Sequence, residues 1–350
     1  MAGLSLAGVG KRFGEHAAVS GLTLDVAAGE FVALLGPSGC GKTTVLRMLA
    51  GFEQPSEGHI RLGGRTLSDA SRHVPPEERN MGMVFQSYAL WPHMSVADNV
   101  GYPLKLRGVG GSDYRRRVGE ALAMVELAAL AERRPQELSG GQRQRVALAR
   151  CLVASPAVVL LDEPLANLDR HLRAAMEESF RAFHRRSGAT LVYVTHDQSE
   201  AMALADRIAV MREGRLVQWS TPETLYRQPH SEWLAGFIGQ GSVLLLPGAV
   251  PGRWLEGDAL MAAAEEAGVQ GRGPVLVRPE HVRLGERGGL RARVERAVFR
   301  GERYELGLRL ADGSALLAYS ARRLAEGSTI GVTLDLGWGL EPEAGTPGRR

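Results

Sequence analysis

Cysteine is nearly missing from this chain: Cys40 and Cys151 are the two in 350 residues. Two cysteines so far apart supply neither a disulfide framework nor metal-ligand spacing, which fits a reducing compartment. Long apolar stretches are missing as well. There is no run of about eighteen apolar residues and no charged-then-apolar leader at the N-terminus. A soluble protein is therefore expected, with any membrane role coming through a partner. No repeat of fixed period occurs. Neither sign of charge dominates, since 42 basic residues against 39 acidic leave +3. That balance is too mild to demand nucleic acid, and no nucleic-acid partner is expected. The length points to about two domains of ordinary size. Lysine is the scarcest of the charged residues: Lys11, Lys42 and Lys105 are three among the 42 basic positions.

One of those lysines closes Gly36-Pro37-Ser38-Gly39-Cys40-Gly41-Lys42-Thr43-Thr44, which follows the apolar run Phe31–Leu35 and opens into the helix-like stretch Val45–Ala50. Strand, glycine-rich turn and helix, with Lys-Thr at the end of the turn, form the phosphate-cradling P-loop pattern. The glycines let backbone N–H groups curl around an anion, and the helix points its positive end at the same place. Lys42 reaches the terminal phosphates in this pattern, and the Thr43 hydroxyl ligates Mg²⁺. A chain that otherwise uses arginine places here the compact, rotatable ammonium, which fits a phosphate cradle better than a planar fork.

Three more strand ends deliver polar residues. Met81–Phe85 ends on Gln86. The continuous apolar run Val158–Leu161 has the character of a strand buried on both faces and ends on Asp162-Glu163-Pro164. Adjacent side chains on a strand point opposite ways, so the two carboxylates can take different tasks. Asp162 suits Mg²⁺, directly or through water, and Glu163 suits general-base work on an attacking water. Leu191–Val194 ends on Thr195-His196-Asp197. In an open parallel sheet the ligand lies beyond the carboxyl ends of the strands, which places Gly36, Gln86, Asp162 and His196 at one edge.

Around these strands, residues 1–30 read as antiparallel strands, with Leu22–Val26 alternating. Phe13 is either an adenine-stacking platform or a packed core residue. The loop Ser87–Met94, with Tyr88, Trp91 and Pro92, is either a docking surface or held down by its aromatics. Residues 96–131 are mostly helical by pattern. Ser139-Gly140-Gly141-Gln142 opens a helix running to about Val153, a second helix start able to meet an anion. Helices are expected over 173–186 and 199–205, then the hairpin Arg207–Met211/Arg215–Trp219 and a helical link over 220–240. From about 241 short β-like pieces follow, read as a small all-β barrel or sandwich. The pattern between Gly252 and Gly273 is indistinct, and the last ten residues are expected to be disordered.

Taken in order, these motifs resemble the ATP-binding subunits of ABC transporters. The matching pieces are the P-loop, Gln86 as Q-loop, Leu138–Gln142 as signature, Val158–Pro164 as Walker B, Leu168-Asp169 as D-loop and His196 as switch histidine. The β-rich tail is similar to the OB-type regulatory extension of importers of sugars, polyamines, sulfate and ferric iron, with Val277-Arg278-Pro279-Glu280 its most recognisable piece. The resemblance implies an α/β P-loop NTPase, an ABC ATPase cassette over 1–235 with a helical subdomain at about 87–155, then an OB-like domain over 236–345 and a tail at 346–350. It implies two cassettes head to tail, most simply two copies of this chain, with each ATP between one P-loop and the other copy's Ser139-Gly140-Gly141 helix end. Ser38 and Lys42 then hold phosphates, Thr43 and Gln86 the Mg²⁺, and Glu163 activates water. His196 contacts the γ-phosphate, Asp169 couples across the interface, and Phe13 stands where tyrosine is common. The loop from Gln86 to Met94 docks on transmembrane permease subunits at the cytoplasmic face of the membrane, with a periplasmic or surface solute receptor engaged indirectly. The implied activity is ATP hydrolysis driving solute import, with ferric iron or a polyamine-type solute as the expected cargo. The alternatives are a soluble cassette acting on nucleic acid or ribosomes, and a solute-sensing regulatory ATPase.

Overall fold

A computed structural model describes residues 3–85, 87–166, 170–266, 272–286 and 288–342. Gln86, Leu168, Asp169 and the tail from 343 onward lie outside the described residues. Contacts divide the chain into two compact units, Met1–Pro222 and Glu223–Arg350.

The first unit is built on a six-stranded sheet. Its order is Arg215–Ser220, Arg207–Arg212, Phe31–Leu35, Thr190–Thr195, Val158–Asp162, Met81–Val84. All pairs except the terminal hairpin are parallel. Every residue of Phe31–Leu35 and of Thr190–Thr195 is buried. That is the outcome expected of continuous apolar runs, which have no polar face to offer water. A four-stranded antiparallel sheet, ordered His16–Val26, Leu4–Phe13, Glu57–Leu62, Arg65–Asp69, covers one side. Here the strands alternate, and Leu4, Leu6, Leu22, Leu24 and Ile60 share one apolar core with Val45, Leu46, Met48 and Leu49 of the helix Lys42–Ala50. Helices Val96–Leu106, Gly111–Met124 and Gly140–Leu152 pack on one another as a helical layer.

The second unit carries two antiparallel sheets, one of Ser242–Pro247, Arg272–Val277, Leu336–Gly339 and Trp254–Glu256, the other of five strands between Val282 and Leu334. They enclose an aliphatic core that includes Leu244, Val275, Val294, Leu308 and Val332. Two features depart from the sequence reading. The stretch read as indistinct holds a strand, Trp254–Glu256, and a helix, Gly257–Glu265, whose Leu260, Ala263 and Ala264 join that core. The division by contacts also falls at Pro222/Glu223, whereas the sequence reading places its domain boundary at 235/236. The reason is visible in Arg278, buried at 3 % exposure, which donates to the carbonyls of Tyr226, Ala235 and Gln240 and ties residues 226–240 to the β-rich unit.

Candidate active site

The P-loop departs from the strand Phe31–Leu35 under tight constraint. Gly41 sits at φ 104°, and a Cβ there would come within 2.5 Å of the Ala18 carbonyl oxygen. Gly41 is also the N-cap of Lys42–Ala50, and no side chain caps this end. The first N–H groups of the helix are thus left for an anion. Lys42 is 5 % exposed. Its ammonium donates to the carbonyls of Gly36 (2.7 Å) and Pro37 (3.0 Å) and lies 3.7 Å from Cys40 Sγ. No ion pair of Lys42 is present among the described residues, so the contacts of this buried cation are two carbonyls and a thiol, with the Asp162 carboxylate acting on it only from a distance. Phosphate oxygens are the chemistry that completes such a site.

Asp162 ends its strand in register with Val194. Burial, then the neighbouring charge of Glu163, pushes its carboxyl up, against the pull of Arg47 and Lys42. Glu163 holds φ 43°, a left-handed backbone for a non-glycine residue, while its N–H donates to the Val194 carbonyl at 3.0 Å. Backbone strain of this kind costs about 1–3 kcal/mol and collects at sites where a side chain must be aimed. The Glu163 carboxylate points to His196, with Oε1 3.3 Å from Nδ1. Among the described residues no cluster of three His, Cys, Asp or Glu could cage a metal. Thr43 and Asp162 carry oxygen donors of the hard kind that Mg²⁺ takes together with phosphate oxygens and water.

A network that the sequence reading missed pins the His196 turn. Buried Glu200 accepts from Tyr193 Oη (2.8 Å) and Thr195 Oγ1 (2.7 Å), and Thr195 Oγ1 accepts the Asp197 N–H at 2.9 Å. Arg173 bridges Asp197 (3.0 Å) and Glu200 (3.6 Å). Asp197 caps the helix Gln198–Leu204 through the N–H groups of Ser199 and Glu200. An acidic residue in the first turn of a helix that follows an Asp cap was the available signal.

The second predicted helix start is closed on itself. Ser139 Oγ accepts the Gln142 N–H at 3.3 Å, and Gln142 Oε1 accepts the Ser139 N–H at 2.9 Å, a capping box. No hydrogen bond or ion pair among the described residues joins Ser139–Gln142, or Phe13, to Lys42, Asp162, Glu163 or His196. Phe13 is 47 % exposed, not packed in the core, with the Lys11 ammonium 4.9 Å from its ring centroid.

The aromatic loop is anchored and still presents a surface. Tyr88 (φ 62°) and Ala89 (φ 46°) are left-handed, and Arg150 donates to both carbonyls while lying 4.8 Å from the Trp91 centroid. Fully buried Asn99 bonds the Trp91 N–H and the carbonyls of Trp91 and Met94. Beside the loop runs a groove of about 560 Å³ lined by Phe85, Trp91, Tyr102, Leu106 and Arg150 among others. Leu106 is 72 % exposed there.

A buried phosphate-seeking lysine, paired carboxylates and a histidine, all at the carboxyl edge of a parallel sheet, are the features of a P-loop nucleoside triphosphatase. Comparison with known proteins makes the class specific. The ABC transporter family profile matches residues 19–166, and a TOBE domain profile matches 275–341. The chain is 51 % identical to the sn-glycerol-3-phosphate import ATP-binding protein UgpC 1 of Rhizobium johnstonii, over 71 % of this chain and 67 % of that protein. It is 45 % identical to the spermidine/putrescine import ATP-binding protein PotA of Rubrobacter xylanophilus, over 94 % and 91 %. It is 44 % identical to the Fe(3+) ions import ATP-binding protein FbpC of Escherichia coli O157:H7, over 92 % and 91 %. Among solved structures it resembles cbiO1 of Clostridium perfringens, part of the cbiONQ ABC transporter complex, at TM-score 0.60 and 29 % identity over 64 % of this chain and 90 % of that one. It also resembles the cassette MJ0796, solved as a post-hydrolysis dimer with ADP and Pi, at TM-score 0.54 and 31 % identity over 63 % and 98 %. The chain belongs to the ABC transporter family, as an ATP-binding subunit of the importer type. It is an ATPase that uses Mg²⁺ with ATP and serves solute import alongside membrane permease components. No helix among the described residues is long and apolar enough to cross a membrane.

Proposed function

We propose that two copies of this chain hold two ATP molecules head to tail and drive import of ferric iron or a polyamine-type solute. The observation that carries the reading is the convergence of Lys42, Asp162, Glu163 and His196 on one sheet edge. Lys42 and the open N–H groups after Gly41 hold the β- and γ-phosphates, with Ser38 beside them. Thr43, Asp162 and Gln86 hold Mg²⁺, which neutralises developing phosphate charge when bound. Glu163 takes the proton of the attacking water, and its strained backbone aims the carboxylate. His196 meets the γ-phosphate from a turn fixed by Glu200 and Arg173. Phe13 stacks on adenine. Ser139, Gly140, Gly141 and Gln142 serve the partner copy's nucleotide, and Asp169 couples the two copies.

The groove beside Phe85 and Trp91, with the loop from Gln86 to Met94, receives the permease at the cytoplasmic face of the membrane, and the solute receptor is engaged only through that permease. For the cargo, the UgpC, PotA and FbpC relatives span three solute classes at 44–51 % identity, so overall similarity does not separate them. Ferric iron is favoured by local resemblance in Arg207–Arg215, Leu225–Pro229 and Phe237–Val243, while Tyr88–Asn99 is equally similar to polyamine relatives. The test of the catalytic assignment is Glu163→Gln. It retains ATP binding and loses turnover by at least about a hundredfold, the scale on which general-base catalysis contributes. Normal hydrolysis by this variant removes Glu163 from the role.

A further inference from the structure

Arg79 is 1 % exposed, the largest of the wholly buried side chains. No carboxylate pairs with it among the described residues, and burial pulls its guanidinium down to about 10, so it stays charged at neutral pH. Its donors go almost entirely to backbone. Nε donates to the Val74 carbonyl at 2.7 Å. One terminal nitrogen donates to Met48 O (2.6 Å) and Leu49 O (2.9 Å), and the other lies 3.4 Å from His73 Nδ1. Met48 and Leu49 belong to the last turn of the P-loop helix, whose carbonyls have no helical partners. His73 extends the clamp, with Nε2 2.9 Å from Gly51 O and Nδ1 3.0 Å from Ser68 Oγ. Gly51, at φ 89°, makes room: a Cβ there would lie 2.5 Å from Arg79 Nε.

The helix does not need Arg79 in order to stop. The N–H groups of Gly51, Phe52 and Glu53 already converge on Arg47 O. A buried guanidinium is an expensive fastener, and what it fastens is informative. Arg79 follows the short turn Pro76–Glu78 and precedes the strand Met81–Val84. Pro76, Glu77, Asn80, Met81 and Met83 all line the groove beside Trp91. A second link runs parallel, since Phe52, just past the Gly51 C-cap of the helix, packs on groove-lining Phe85 with centroids 6.2 Å apart.

We infer that Arg79 is a positioning residue that joins the groove rim to the C-terminal end of the P-loop helix. Nucleotide at one end of that helix and an occupant of the groove then act on one rigid element, so each biases the other. The inference rests on the permease reading only for what fills the groove.

Hydrogen–deuterium exchange of the full chain, with and without Mg²⁺ and a non-hydrolysable ATP analogue, tests it without a permease. In the wild type, nucleotide slows exchange about tenfold both in residues 42–50 and in the rim, residues 76–84. Arg79→Lys keeps nucleotide affinity within about threefold and keeps protection of 42–50, but rim protection falls below about twofold. A purely structural role would lower both together. His73→Ala, which leaves the three carbonyl contacts in place, is the milder variant and reduces rim protection to about threefold. Equal rim protection in Arg79→Lys and wild type, or none in wild type, overturns the inference. Leu106→Glu separates it from the docking proposal. If this groove variant still captures the co-expressed permease while nucleotide protects the rim, docking fails and the Arg79 link stands.

Discussion

Two helices of the first unit begin at glycine-rich turns, and they begin differently. Lys42–Ala50 starts at Gly41 with no side-chain cap, so its N–H groups are open and a buried ammonium stands beside them. Gly140–Leu152 starts at Ser139 with both ends of a capping box made. The first end is pre-organised for an anion. The second satisfies itself and can release a hydroxyl and an N–H only when something better is presented. On the head-to-tail arrangement proposed above, this asymmetry suits the open end to bind ATP in the single chain and the capped end to engage on assembly. The energies agree: a capping bond is worth about 1 kcal/mol, whereas hydrogen bonds to a charged group reach about 3 kcal/mol.

The largest effect that can break this comparison comes from opposite variants at the two ends. Lys42→Ala weakens nucleotide binding by about a hundredfold, the equivalent of about 3 kcal/mol, as read by calorimetry on the single chain. Ser139→Arg leaves that affinity within about twofold, yet turnover falls by at least about tenfold, the scale of one lost interaction to a charged group. If both variants lose nucleotide equally, the two helix starts do not differ in role.

A smaller effect sharpens the open end. Because burial and Glu163 raise the Asp162 carboxyl in the folded chain, the native state binds its proton more readily than the unfolded chain does. Stability from this group is therefore present at low pH and lost as pH rises from the unfolded value of 3.8 through the raised one. Ionised Asp162 burdens the nucleotide-free protein at neutral pH. Asp162→Asn accordingly raises its melting temperature by about 2 °C, on the scale of one kcal/mol or less in a domain of this size, while Mg²⁺-dependent turnover is lost. A melting temperature that falls removes the carboxylate strain from the account.

Much of this is legible in the sequence, and the reason is local. The P-loop, the run Val158–Glu163 and the turn at His196 are contiguous segments whose chemistry and secondary structure coincide, so the sheet edge could be assembled from strand ends alone. What escaped depends on distance along the chain. Arg79 sits in a polar, turn-rich stretch and shows its role only through carbonyls about thirty positions away. Arg150 meets the strained Tyr88–Ala89 backbone across about sixty. The helix Gly257–Glu265 was hidden by the glycine-punctuated β-like pieces around it, although Leu260, Ala263 and Ala264 do follow a helical spacing. The link over residues 226–240 shows its attachment for a related reason, since it is tied to the β-rich unit by one buried arginine, Arg278.

The central claim is that each catalytic site is built from the open helix end of one copy and the capped end of another. Mixing inactive Lys42→Ala and Ser139→Arg chains tests it most directly, with steady-state ATP hydrolysis as the readout. Random pairing makes half of the dimers mixed, each with one intact site of two, so the mixture recovers about a quarter of the wild-type rate. A mixture as inactive as either variant alone contradicts the shared site.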